Sequence, residues 1–79
     1  IMKNRAAETA RHHVAATRQR LSANACHSAF SELLFAVNAH GEGRGKMTAG
    51  EYAAVESEIT EVVSAFTEKC IRPLPRGER

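Results

Sequence analysis

Four histidines and two cysteines are the side chains most suited to chemistry: His12, His13, His27, His40, Cys26 and Cys70. Together they offer zinc-type donors, but structural zinc sites use ligand pairs at short fixed spacing such as C-x2-C or H-x3-H. Here His12/His13 and Cys26/His27 are direct neighbours, and adjacent side chains diverge on a helix. No metal or other cofactor is expected. A second candidate is Gly41-x-x-x-Gly45-Lys46 ahead of a helix start. A P-loop needs one more residue between its glycines, a hydroxyl where Met47 stands, and a strand leading in. Glu42 and Glu51 would also repel an anion there, so the segment reads as a connection.

Catalysis has little to work with. The chain contains no aspartate, which leaves a Ser-His-Asp arrangement without its orienting carboxylate. Its glutamates fall mainly along one helix, without the apolar surroundings that raise a carboxylate pKa for acid–base work. The expectation is a non-enzyme with no small-molecule substrate.

The elements that must position these groups are helical. Thr48-x-x-Glu51 is a capping box, with Met47 and Tyr52 as its hydrophobic staple. Behind it Tyr52, Val55, Ile59, Val62, Phe66 and Cys70 form a near-heptad, coiled-coil-like stripe, and Pro73 and Pro75 forbid continuation. This predicts a helix over about 48–70. A small-residue seam of Ala7, Ala10, Val14, Thr17 and Leu21 predicts another over about 3–21. A stripe of Cys26, Phe30, Leu33 or Leu34, and Val37, out of phase with the first, predicts a third over about 24–39. Ser22, Ala23 and Asn24 mark the slip, although one long bent helix would satisfy the same pattern. The glycine-rich loop spans 40–47 and a basic tail 72–79.

The fold class is therefore all-α: a three-helix, αα-hairpin-type single domain, or a bent two-helix hairpin. In the hairpin register read from the sequence, Val37 lies level with Tyr52 and Phe30 near Ile59. Cys26 then falls near Val62 or Val63, about 10 Å along the helix from the level of Cys70. The cysteines accordingly read as separate reduced thiols, with Cys70 a small core residue and a cytoplasmic location as the default. The basic N-terminal stretch has no apolar run of the secretory kind, and no apolar run approaches a membrane span.

Seventy-nine residues make a small core, worth about 3–5 kcal/mol when unaided. A helical-bundle homodimer through the first and third helices is expected to supply the remainder. Charge is unevenly shared. Residues 1–22 hold Lys3, Arg5, Arg11, Arg18 and Arg20 against Glu8; residues 51–70 hold Glu51, Glu56, Glu58, Glu61 and Glu68 against Lys69. Opposite signs of this kind steer helices together, within one chain or between two.

From Met47 onward the chain resembles the Hha/YmoA type of small nucleoid modulators. The shared features are the Met47-Thr48-Ala49-Gly50-Glu51 helix start and the Lys69 and Leu74-Pro75 ending. The likeness covers less than half of the chain. Glu58-Ile59-Thr60-Glu61 stands where that family carries a charged Asp-His-Arg element.

Two functional expectations follow. The first is a regulatory or adaptor protein acting through helix-mediated protein–protein contact, with itself and another protein as partners. Its contact residues would be Val62, Val63, Phe66, Cys70 and Ile71, with Glu58, Glu61 and Glu68. The second is sequence-independent nucleic-acid binding or transcription modulation through Lys3, Arg5, Arg11, Arg18 and Arg20, because phosphate contact needs only charge.

Overall fold

The computed structural model describes residues 5–73. Among them are three α-helices and no strand: α1 (Arg5–Ser22), α2 (Cys26–Glu42) and α3 (Ala49–Phe66). A short 3-10 turn, Arg44–Lys46, precedes α3, and a π-helical turn, Thr67–Ile71, prolongs it. The expected basic tail beyond residue 73, like Lys3, lies outside the described residues.

The break between α1 and α2 has a backbone cause that needs neither Gly nor Pro. Asn24 adopts a left-handed φ of 60°, a conformation that asparagine tolerates better than most residues. The Ala25 N–H donates to the Arg20 carbonyl at 2.8 Å and the Asn24 N–H to the Leu21 carbonyl at 3.0 Å. That bond pair is a Schellman closure with Asn24 at C′. Two separate helices result, not one bent helix.

α2 runs further than its glycines suggested. It passes through Gly41 to Glu42 and stops at Gly43, whose N–H reaches back to the Ala39 carbonyl. Gly43 is the glycine that the fold requires. A Cβ built there would stand 2.6 Å from the Ala6 Cβ and 2.8 Å from the Met47 Cε. The connection is consequently a tight crossing beneath α1, not a free eight-residue loop.

At the start of α3 the capping box is present. The Glu51 N–H donates to the Thr48 hydroxyl oxygen at 3.0 Å, and the Thr48 N–H donates to the Glu51 carboxylate at 3.3 Å. Met47 packs against the core, while Tyr52 stacks on His40 with ring centroids 3.9 Å apart. The buried His40 ring also donates through Nε2 to the Tyr52 carbonyl at 3.0 Å.

The core is built from small residues on α1 and α2 and larger ones on α3. Ala7, Ala10, Val14 and Leu21 face Ala29, Leu33 and Ala36, with Val55, Ile59, Val62, Phe66 and Cys70 closing the third side. The α1 seam is buried as its spacing required, and the Thr17 hydroxyl within it donates to the His13 carbonyl at 2.7 Å. α2 departs from expectation. Its inward stripe is Ala29, Leu33, Ala36 and His40, about one residue, or 100°, away from the stripe of large apolar residues. Alanines on both sides let α1 and α2 run closer together than either runs to α3, since interaxial distance is set by the side chains at the contact.

The α2–α3 register also differs from the sequence reading. Phe30 meets Phe66, not Ile59, and His40, not Val37, lies level with Tyr52. The slip is about two helical turns at the open end of the hairpin. It follows from the longer α2 and the tight connection, and it carries Cys70 to Cys26.

Three substitutions at two positions test this backbone description. Replacing Gly43 with Ala is expected to cost about 1–3 kcal/mol, the usual range for overpacking. Replacing Asn24 with Val is expected to cost about 1–2 kcal/mol through the left-handed φ, whereas Asn24→Gly leaves stability unchanged or higher. Urea unfolding followed by circular dichroism measures all three. A neutral Asn24→Val would contradict the helix break.

Candidate interaction surface

The three helices give the bundle three side faces, and their chemistries differ. Between α1 and α3 the face is ionic. The Arg11 guanidinium donates to Glu58 through Nε at 3.0 and 3.1 Å and through Nη2 at 2.9 Å. Arg18 approaches Glu61 at 3.6 Å. The Glu58 hydrogen bond raises the Arg11 pKa above its ordinary value. Both pairs are exposed, so each contributes at most about 1 kcal/mol. Their main effect is to satisfy the opposed charges of α1 and α3 within one chain.

Between α1 and α2 the face is a polar cluster around Glu32. The His13 Nδ1 donates to Glu32 at 2.8 Å, Arg20 approaches the same carboxylate at 3.7 Å, and the Arg20 Nε donates to the Ser28 hydroxyl at 2.9 Å. Phe35 covers the cluster, its ring centroid 5.3 Å from that of His13. The His13 hydrogen bond holds the Glu32 carboxyl below the usual range. Burial opposes this, and the charges of His13, Arg20 and His12 reinforce it.

The third face, between α2 and α3, is apolar. Phe30 contacts Phe66 with ring centroids 5.9 Å apart, which marks this side of α2. At 100° per residue Leu34 and Val37 share that side, well away from Glu32. Glu58 and Glu61 mark the α1 side of α3, so Val63 falls on the opposite flank, beside α2. Phe30, Leu34, Val37 and Val63 are 47, 47, 45 and 39 % exposed. No ion pair joins α2 to α3 among the described residues. Glu56 is the carboxylate on this face, with His27 near the far end of α2.

The two cysteines close the end of that face. Cys26 and Cys70 form a disulfide, with Cα atoms 5.8 Å apart. The expectation of separate reduced thiols is overturned, because the corrected register removes the roughly 10 Å offset on which it rested. The bridge pins a helix start that has no side-chain cap, since Ala25 stands at the N-cap. It meets the π-helical turn after Phe66, where the Arg72 N–H reaches the Thr67 carbonyl at 2.9 Å.

The contact residues named from sequence are scattered by this arrangement. Val62, Phe66 and Cys70 are buried inside the single chain. Glu58 and Glu61 are paired with α1, and Glu68 with Arg72 at 2.9 Å. Val63 and Ile71 remain exposed, Val63 on the apolar face and Ile71 beside the disulfide at its end. Of the proposed phosphate contacts, Arg11, Arg18 and Arg20 already face carboxylates, and Arg5 lines a shallow cleft of about 240 Å³ with Lys46 and Glu42. Sequence reasoning missed Phe30, Leu34 and Val37 as surface residues because it assigned them to the core. The available signal was that α2 carries only Glu32 and Glu42 as ordinary charges.

No group of three or more metal-type donors occurs among the described residues. No helix among them is long and apolar enough to cross a membrane. Compared with known protein families, curated proteins and solved structures, the chain matches none.

Two measurements follow from these contacts. The bridge spans a sequence separation of 44, for which loop closure gives about 4 kcal/mol. Cys26→Ala/Cys70→Ala, or reduction, is therefore expected to lower unfolding stability by about 2–4 kcal/mol, comparable to the whole unaided core. Two freely alkylated thiols in the folded, unreduced protein would contradict the bridge. The depressed Glu32 pKa contributes stability that is present above the unfolded carboxylate range and lost as pH falls through the lower folded value. Glu32→Gln should therefore flatten part of the acid limb in a stability–pH profile and lower stability near neutrality. An unchanged profile would remove Glu32 from that role.

Proposed function

We propose that this chain is a non-enzymatic helical interaction module whose contact surface is the apolar α2–α3 face, and whose occupant is a helix with an uncharged apolar side. The observation that carries this reading is the placement of large side chains. Phe30 and Phe35 stand outside, as do Leu34 and Val37, while alanines make up four of the twelve buried apolar residues. Phe35 has His13 beneath it; Phe30, Leu34 and Val37 form a continuous strip with little above it. Exposed apolar strips with polar surroundings mark interaction sites in small proteins. A charged partner helix would gain nothing here, because α2 offers no opposite charge along the strip.

The disulfide favours an oxidising compartment, where such bridges persist, over the cytoplasm. Nucleic-acid binding is the weaker reading. Arg11, Arg18 and Arg20 are engaged by Glu58, Glu61 and Glu32, and releasing them to phosphates would leave those carboxylates beside the nucleic acid.

A photo-crosslinking residue placed at Leu34 and, as a control, at exposed Ala15 separates these ideas in cells that make the protein. Position 34 should yield one discrete protein adduct and position 15 none. Equal labelling at both, or adducts only to nucleic acid, would overturn the interaction reading. Thiol trapping before lysis should find both cysteines blocked; free thiols in the cell would overturn the compartment.

A further inference from the structure

We infer that the occupant of the α2–α3 face is a second copy of this chain, packed antiparallel about a two-fold axis at the level of Leu34. This rests on the interaction reading and names its partner. Three features of the molecule support it.

The first is charge. The α1–α3 face carries Arg11, Arg18, Glu58 and Glu61, and the α1–α2 face carries His13, Arg20 and Glu32. The Phe30, Leu34 and Val37 strip on the α2–α3 face carries no charge of its own, with Glu56 and Arg44, which lies 6.0 Å over the Tyr52 ring, beside it. A two-fold interface places the same patch on both sides, so neutrality of the patch is the condition that it must meet. Glu56 sets the direction. Parallel packing would keep the two Glu56 carboxylates at one level, whereas antiparallel packing about Leu34 carries each to about the level of the second copy's Ser31.

The second is size. α2 has 17 residues, about 25 Å at roughly 1.5 Å per residue, and two helices side by side are about 20 Å wide. The face therefore offers about 500 Å² per copy and about 1,000 Å² in total, the lower limit of a specific interface. A two-fold axis at the middle of α2 overlaps the whole face of both copies. One at either end would use about half and fall below that limit.

The third is the core. Most of its α1 and α2 members are alanines, and Val55, Val62 and Thr17 are the largest fully buried side chains. Covering Phe30, Leu34, Val37 and Val63 would add a second apolar layer of larger residues to a core that is thin for an 8.6 kDa chain. Leu34 is the midpoint of α2, and in the antiparallel arrangement it lies beside its own equivalent.

That self-contact gives a specific test in the intact, disulfide-bonded chain. Sedimentation equilibrium should give twice the 8.6 kDa monomer mass at micromolar to millimolar concentration. Leu34→Glu and Leu34→Lys should each weaken association at least tenfold, and an equimolar mixture of the two should restore the dimer. Ala15→Glu, at an exposed position on α1 and so outside this face, should leave it intact. Circular dichroism and the retained disulfide check that each variant is folded. Should a charged variant fail to fold, Leu34→Gln replaces it and should still weaken association. A wild-type chain that stays monomeric at millimolar concentration overturns the second copy, and a different protein cross-linked at position 34 would then show the interaction reading surviving alone. Dimerisation unaffected by folded Leu34 variants overturns the face, and loss in both charged variants without recovery on mixing overturns the self-contact.

Discussion

The close approach of α1 and α2 through alanines determines where everything else must go. Ala7 and Ala10 on one helix and Ala29 and Ala36 on the other allow a short interaxial distance. Once α2 presents Ala29 and Ala36 inward, Phe30 and Val37, one residue further round the helix, are turned out of the α1–α2 contact. The energetic logic is that many close van der Waals contacts between backbones replace a few large buried side chains. Its consequence is an interior of small volume and an exterior with unspent apolar surface. Both the modest core and the interaction face come from this one packing choice.

The same constraint explains which features were legible in the sequence. The α1 seam and the α3 stripe could be read directly, because each has one apolar face and polar residues elsewhere. The capping box at Thr48 was legible because it is local, needing only two residues three apart. α2 was not, because it is apolar or uncharged almost all round, so its periodicity does not select a face. Choosing the largest residues as inward is sensible when helices are spaced by leucines. It fails when the neighbouring helix contributes an alanine seam, and that seam was visible in α1. Consistency between the two helices, not the pattern in either, carried the information.

The disulfide shows a different limit. Pairing Cys26 with Cys70 depends on register, and register depends on where α2 ends. Three glycines between positions 41 and 45 suggested an early stop, but only Gly43 is held by close contact with α1, and Gly41 remains helical. Glycine lowers helix propensity by only about 1 kcal/mol, so tertiary contact can carry α2 past Gly41. The His40–Tyr52 stack and the His40 hydrogen bond provide that contact. A histidine read as a surface group, or as a weak metal donor, is instead part of what aligns the two helices.

Charge completes the allocation of surfaces. The basic character of α1 and the acidic character of α3 were evident in composition, but composition does not say whether the two meet inside one chain or across two. In this fold they meet inside, across the α1–α3 gap, one of the two that the close α1–α2 approach leaves wider. Arg11 reaching Glu58 and Arg18 reaching Glu61 span that gap. With the ionic residues spent there and Glu32 held between His13 and Arg20, the α2–α3 side is left with mostly apolar groups, with Glu56, His27 and, over the Tyr52 ring, Arg44 at its margins. A face reached by subtraction in this way has few means of recognising a charged partner. Its selectivity must come from shape and from the level of Phe30, Leu34, Val37 and Val63 along the helices. The Cys26–Cys70 bridge fixes that level at one end and the His40–Tyr52 stack fixes it at the other.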